Sequence, residues 1–366
     1  MSSSWKRREY NDKIRLFLII IWAISVILLA YLILYISIIL YGFENFLHPS
    51  ESFQTTYAFI ITFYTCIPAL MALLFMQMFG TAHWKDPGLS FPQNPVWLGF
   101  GLFYTILVLV PTIIFSFIFE NLTLDTTFNP WSSAEGFSVG IVYIDILSYI
   151  LIGGILLIFS PGGFIRIIGE EYGWRGYLVP ETIKSRKFFP LLSGFFFVGL
   201  IWTLYHVPFF TVLSPVEPTL EEMVLLLLGS IGVFFGASFA MIWAYLKTHN
   251  LWPALSLHFL WNIINPLITG NLYSGTTGLI SGNLILINGE GLFGGLFHLI
   301  IGLIFLLLIL KEKDVLMQNF QNNLEILETS TDDIIPIKQS GSSLTKKHKP
   351  YSKKQKKVRI PNRSEL

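Results

Sequence analysis

LFLIIIWAISVILLAYLILYISIILY, residues 16–41, decides the fold class. The run carries no charged side chain and exceeds the ~20 residues that a helix needs to cross a bilayer. It is longer than the ~7–15-residue core of a signal peptide and has no small-residue cleavage site. With the basic stretch from Met1 to Arg15 before it, it reads as a first membrane anchor. Working outward, the segments 57–79, 96–119, 139–160, 188–209, 222–246, 251–269 and 291–310 share this character. Within them acids and bases are almost absent, the exceptions being Asp145, His206, His258 and His298, with Glu222 at an edge. Composition agrees: 53% of residues are apolar and only 13% charged, about half the ~25% of an ordinary globular chain. So much apolar surface needs lipid as its solvent.

Charge placement fixes the expected topology. Cytoplasmic connectors of membrane proteins collect Lys and Arg. With the N-terminus inside, the outside connectors are 42–56, 120–138, 210–221 and 270–290. None holds a Lys or Arg, and between them they carry Glu44, Glu51, Glu120, Asp125, Glu135, Glu217, Glu221 and Glu290. All 24 bases fall on the other side, including Lys85, five between Arg166 and Lys187, Lys247 and twelve from Lys311 onward. The expectation is an all-α, polytopic transmembrane bundle of about eight spans, with both termini cytoplasmic.

The chain is expected to divide into a bundle at 1–315 and a tail at 316–366. The tail is polar and ends in the basic cluster KKHKPYSKKQKKVR at 346–359. Such a composition buries too little to offset chain entropy, so disorder is expected; the cluster suits anionic lipid at about 1 kcal/mol per basic residue. No nucleic-acid partner is expected. Cys66 is the single cysteine, which rules out a disulfide framework or a thiolate metal site within one chain. Asn121-Leu122-Thr123 has the glycosylation-acceptor pattern on an outside connector.

Polar groups inside a bilayer are costly and usually kept for function. Three clusters qualify. In Glu170-Glu171-Tyr172-Gly173-Trp174-Arg175, helical spacing pairs Glu171 with Arg175 and leaves Glu170 on a neighbouring face. The bland reading is an ion pair at the membrane surface; the other is a carboxylate poised as general base. In Trp202-Thr203-Leu204-Tyr205-His206, Trp202 packs one turn before His206. In His258-Phe259-Leu260-Trp261-Asn262, the i,i+4 spacing puts His258 and Asn262 on one face, where both can donate to an oxyanion or act as interhelical glue. Asn265 reads as glue, and Asp145 and His298 as structural.

The order EEYGWR, W-x-x-x-H, H-x-x-x-N resembles the motifs of the CPBP family of intramembrane proteases, which includes the type II CAAX prenyl endopeptidases and bacteriocin-processing proteins. The resemblance covers roughly 165–265. It implies that Glu170 activates water, His206 holds and polarises it, and His258 and Asn262 stabilise the oxyanion. Glu171, Arg175 and Trp202 would support the site. It implies a membrane-anchored or lipidated peptide as substrate; convergence of Glu170, His206, His258 and Asn262 on one water-sized cavity open to the cytoplasm is the arrangement that would bear it out. Family accounts divide between a metal-free glutamate mechanism and zinc on Glu170, His206 and His258; no H-E-x-x-H helix occurs, and the metal-free form is favoured. Two other readings stand beside it: a non-catalytic family member acting as a membrane scaffold, and a proton- or ion-coupled transporter using Asp145, Glu170 and the histidines.

One geometric difficulty is visible in the sequence. At 1.5 Å per residue, His258 lies about 10 Å from the start of its span and His206 about 27 Å from the start of its own. Straight helices starting at one level would keep them apart.

Overall fold

The computed structural model describes residues 10–47, 50–83, 85, 87–120, 122–130, 138–155, 163–185, 191–211, 219–272 and 276–332. In lipid the backbone must satisfy its own hydrogen bonds, so the apolar runs become helices. These are α1 (Asp12–Tyr41), α2 (Glu51–Phe79), α3 (Phe100–Phe119), α4 (Val142–Ser148), α5 (Gly163–Gly173), α6 (Val179–Lys184), α7 (Leu191–Thr211), α8 (Leu220–Thr248), α9 (Trp252–Thr269), α10 (Leu292–Lys311) and α11 (Lys313–Asp332). Contacts divide the chain into Met1–Leu327 and Glu328–Leu366; of the second unit only the end of α11 is described.

The two faces of α1 show how lipid enters the design. Trp22, Val26 and Ala30 are fully buried against the bundle, while Leu28 and Leu40, equally apolar, are 63% and 69% exposed. Both faces are greasy because one meets protein and the other meets acyl chains. Glycines let backbones touch where helices cross. A Cβ on Gly232 of α8 would strike the backbone of Gly295 of α10, and one on Gly169 of α5 would meet Cys66 and Thr65 of α2 at 2.7 Å. Glu222 serves the backbone. With Thr219 it forms a capping box at the start of α8, its Oε2 accepting from Thr219 N at 2.8 Å.

Six helices are long and apolar enough to cross a membrane among the described residues, rather than eight. One of the two differences is the fourth span, expected at 139–160: its described residues form the short α4 and a π-helical stretch, Tyr149–Gly153, while 156–160 lie outside the described residues. The length is supplied instead by 163–184, where α5, a π-helical turn at Trp174–Leu178 and α6 follow one another without a break. That is about 33 Å of helix. It packs along α2 in the same direction. Arg166 bonds Ala58 near the start of α2, Gly173 abuts Pro68, and Tyr177 meets Thr81 just past its end. The second difference is α9, whose His258, Asn262 and Asn265 dilute its apolar character. It runs beside α3, from Ser256 bonded to Leu98 O to the strand pair that follows both helices, Thr123–Leu124 with Ile280–Ser281.

The two ends of the bundle are chemically distinct. At the end holding the start of α1, Arg15 and Lys184 flank Glu181 at 2.8 Å each, and Lys247 pairs with Glu312. At the other end, neutral amides and hydroxyls make the links. Asn265 Oδ1 accepts from Gly289 N at 3.0 Å and Thr269 Oγ1 at 2.7 Å, so Asn265 ties α9 to the connector that precedes α10. Asp145 accepts from Ser138 Oγ and the Val139 and Gly140 amides, closing the turn before α4. Beyond residue 315 the chain stays helical to Asp332, against the expected disorder, because Leu316, Met317 and Phe320 share a buried face. The basic cluster 346–359 lies outside the described residues, as does Asn121.

Candidate active site

The helix at 163–184 carries the acid pair into the middle of the protein rather than along its surface. Glu170, Glu171 and Arg175 are 4%, 0% and 0% exposed. A buried ion needs a partner and hydrogen bonds. Glu171 has both: its Oε1 accepts from Arg175 Nη1 at 2.9 Å and from His258 Nδ1 at 2.8 Å. The Arg175 guanidinium also lies 4.1 Å from the Trp202 ring centre. Arg175, Glu171 and His258 thus form a chain that locks α5 to α9.

Glu170 is held differently. Its Oε2 accepts from the indole N–H of Trp202 at 3.0 Å and, more weakly, of Trp174 at 3.4 Å. His206 Nε2 lies 3.7 Å from the same oxygen. His206 turns its other nitrogen, Nδ1, to the carbonyl of Trp202 at 3.0 Å, and a carbonyl can only accept, so Nδ1 carries a proton. Nε2 is then the nitrogen that faces Glu170. The ring is fixed by stacking on Phe234, 4.3 Å between centres. The π-helical turn at Trp174–Leu178 begins at the indole that reaches back to Glu170; such turns recur at functional sites.

Glu170, His206, His258 and Asn262 line one cavity of about 330 Å³ together with Trp202 and Trp261. Helix spacing alone offers no route to this, because it sets His206 and His258 at different depths. The difficulty disappears once the start of α9 is located. A Cβ on Gly176 would stand 3.5 Å from Leu251 Cδ1, so α9 starts beside Gly176. That is eight residues before Lys184, or about 12 Å in from the basic end. The recessed start brings His258 level with His206, and the Trp202 and His258 rings come to 5.9 Å.

Two expectations fail here. Arg166 does not belong with the bases of the basic end: it lies one turn before Glu170 and bonds Ala58 O and Thr62 Oγ1, toward the opposite end. Nor does the cavity run toward the basic end. Its lining continues from Glu170 through Arg166 and Tyr57 to Asn271, Leu272 and Glu290, in connectors that contain no base.

Other residues at the site carry no signal of their own in the sequence. Trp174 lies inside the first motif cluster without an evident role there. Glu290, on an outside connector, accepts from Trp261 Nε1 at 3.1 Å at the cavity wall. Only the Gly-Glu pair at 289–290 hints at it. His298, expected to be structural, bonds the Tyr104 hydroxyl at 2.9 Å, and its ring lines the cavity. Asp145 is not among the lining residues.

A zinc site would need Glu170, His206 and His258 to converge as ligands. Among the described residues no three His, Cys, Asp or Glu side chains are placed to hold one ion. Glu170 Oε2 is already engaged by indole donors, which leaves Oε1 as the open oxygen of that carboxylate.

Residues 147–264 match the family model described as type II CAAX prenyl endopeptidase Rce1-like. The match spans all three motif clusters, through Asn262. No curated protein and no solved structure matches the chain. Fold, motif order and family match agree: this is a multi-pass integral membrane protein whose residues 147–264 are similar to the Rce1-like family, which supports the resemblance to the CPBP proteases.

Proposed function

We propose that the chain is an intramembrane endopeptidase that hydrolyses a peptide bond of a membrane-anchored or lipidated peptide with a water activated by Glu170. The observation that carries this is the approach of Glu170 and His206, 3.7 Å apart, in a cavity that His258 and Asn262 also line. A water within hydrogen-bond reach of both groups would sit between the base and a bound carbonyl. Glu170 takes one proton as the water oxygen attacks the amide carbon. The resulting oxyanion accepts from the Asn262 amide and from Nε2–H of His258 in its charged form, with Nδ1 held by Glu171. The proton on Glu170 then passes to the leaving nitrogen as the C–N bond breaks. Trp202 and Trp174 keep one carboxylate oxygen occupied, so the other is the one presented. No step requires a metal.

Purified protein in nanodiscs, given a prenylated Cys-aliphatic-aliphatic-Xaa peptide, tests the reading. Glu170→Gln should lower turnover by about 10³-fold or more while the protein stays monodisperse. Turnover at the parental rate in that variant would remove Glu170 from the reaction. A chelator should leave the parental rate intact; loss restored by zinc would replace the glutamate mechanism with a metal one. The scaffold reading predicts no cleavage by either protein and an unchanged cellular phenotype for Glu170→Gln.

A further inference from the structure

Three helices, measured separately, put the site far from the end of the bundle that carries the bases. Along 163–184, Glu170 stands about 21 Å from Lys184 and only about 10 Å from Gly163. Along α7, His206 stands about 22 Å beyond Leu191. Along α9, His258 is about 10 Å past Leu251, which itself begins about 12 Å in. The space between the site and the basic end is packed. Leu178, Leu246, Leu251 and Leu255 are fully buried, and residues 169–183 are buried without interruption. In the other direction the cavity is lined by Asn262, Asn271, Asn288 and Glu290, and Asn262 is exposed. Polar side chains in a membrane bundle face its interior or water.

Charge says which face this is. The connectors at the cavity's end, 42–56, 120–138, 210–221 and 270–290, hold no Lys or Arg, whereas Arg15, Lys85, Lys184, Lys247 and Lys311 mark the other end. Arg166 is the exception, and it is bonded to Ala58 and Thr62 of α2. Cytoplasmic connectors collect Lys and Arg, so the cavity's end faces away from the cytoplasm. From this we infer that the cavity takes its peptide, and the water that splits it, from the non-cytoplasmic face of the membrane. The inference rests on the peptidase reading above and adds to it a class of substrate: a peptide displayed at that face, on an exported or membrane-anchored protein. At about 3.3 Å per residue, some three residues of extended chain span the distance from Gly163 to Glu170. A peptide in the cytoplasm meets about 20 Å of packed side chains instead.

The first test is accessibility, which needs no substrate. Single cysteines are placed at Asn271 in the cavity lining and, as a control, at the exposed Lys85 of the basic end, each in the full chain with Cys66→Ala. The probe is a charged maleimide, applied to sealed right-side-out and inverted membrane vesicles. Charge keeps it from crossing lipid, so Asn271→Cys should react at least about 10-fold faster in right-side-out vesicles and Lys85→Cys at least about 10-fold faster in inverted ones. Tyr57→Cys, also in the cavity lining, repeats the measurement if Asn271→Cys is not recovered in membranes. Faster reaction of the cavity cysteines in inverted vesicles overturns the inference; so does equal reaction from both faces, or none from either. The second test is cleavage. Proteoliposomes are sorted by whether the C-terminal tail is enclosed or outside, and a farnesylated peptide bearing a charged fluorophore is added externally. Vesicles with the tail enclosed should cleave it, and those with the tail outside should not. The reverse pattern overturns the inference. Failure of the peptidase reading looks different: the cavity cysteines react from the non-cytoplasmic face, yet neither population cleaves.

Discussion

The two parts of the helix at 163–184, with four charges from Glu171 onward and two before it, treat them in opposite ways. From Glu171 to Lys184 every ion is answered: Arg175 and His258 meet Glu171, and Arg15 and Lys184 meet Glu181. From Gly163 to Glu170 none is. Arg166 has a hydroxyl and a carbonyl, and Glu170 has two indoles and a histidine nitrogen beyond hydrogen-bond distance. The first half is built to hold, since removing one member of a buried pair strands the other in low dielectric. The second half keeps charge available for something that arrives. The boundary between them falls between two adjacent residues, Glu170 and Glu171, which share a side-chain chemistry and differ only in the helix face they occupy.

That contrast can be broken from either side. The largest effect is expected for Glu171→Gln, which strands Arg175 and unties His258. Stability should fall by about 3–5 kcal/mol, read as a drop in thermal midpoint in detergent. A midpoint within a degree or two of the parent would show that the holding half does not hold. Next is His206→Gln, on the reactive side. Turnover should drop about 10²-fold with the midpoint unmoved, because the ring borders the cavity and its loss leaves no buried ion unpaired. A large loss of stability there would make His206 part of the framework. Trp202→Phe removes one indole donor from Glu170 and keeps most of the packing. About 1.5 kcal/mol for a bond to a charged group corresponds to roughly a tenfold fall in turnover. The smallest effect is expected for Glu181→Gln. Glu181 is buried, but its partners Arg15 and Lys184 are 13% and 17% exposed and can turn their charged ends to water once unpaired, so the loss should stay within about 1 kcal/mol. A loss as large as that of Glu171→Gln would erase the distinction between a central and a peripheral pair.

Much of this is legible in the sequence, for physical reasons that also explain what is not. The spans around α1, α2, α3, α7, α8 and α10 are readable because lipid-facing helices must be apolar on every side. The three motif clusters are readable because acids, imidazoles and amides stand out in such a chain. The fourth pass is misleading because 139–160 is more apolar than 163–184. The latter carries Arg166, Glu170, Glu171, Arg175, Glu181 and Lys184, and hydropathy scores it as a loop. It can cross the bundle because protein, not lipid, surrounds it: residues 169–183 are buried without interruption. The recessed start of α9 is not legible either. It depends on Leu251 meeting Gly176, a contact between distant segments that no local pattern encodes. The same holds for Glu290, whose place at the cavity follows from the path of the connector after α9.

The most direct test is to let purified protein in nanodiscs cleave a lipidated peptide in H2(18)O and to weigh the fragments. The account predicts one (18)O in the newly formed carboxylate for the parental protein, and no product from Glu170→Gln at matched folding and loading. Product from Glu170→Gln at the parental rate, with the same label, would contradict it.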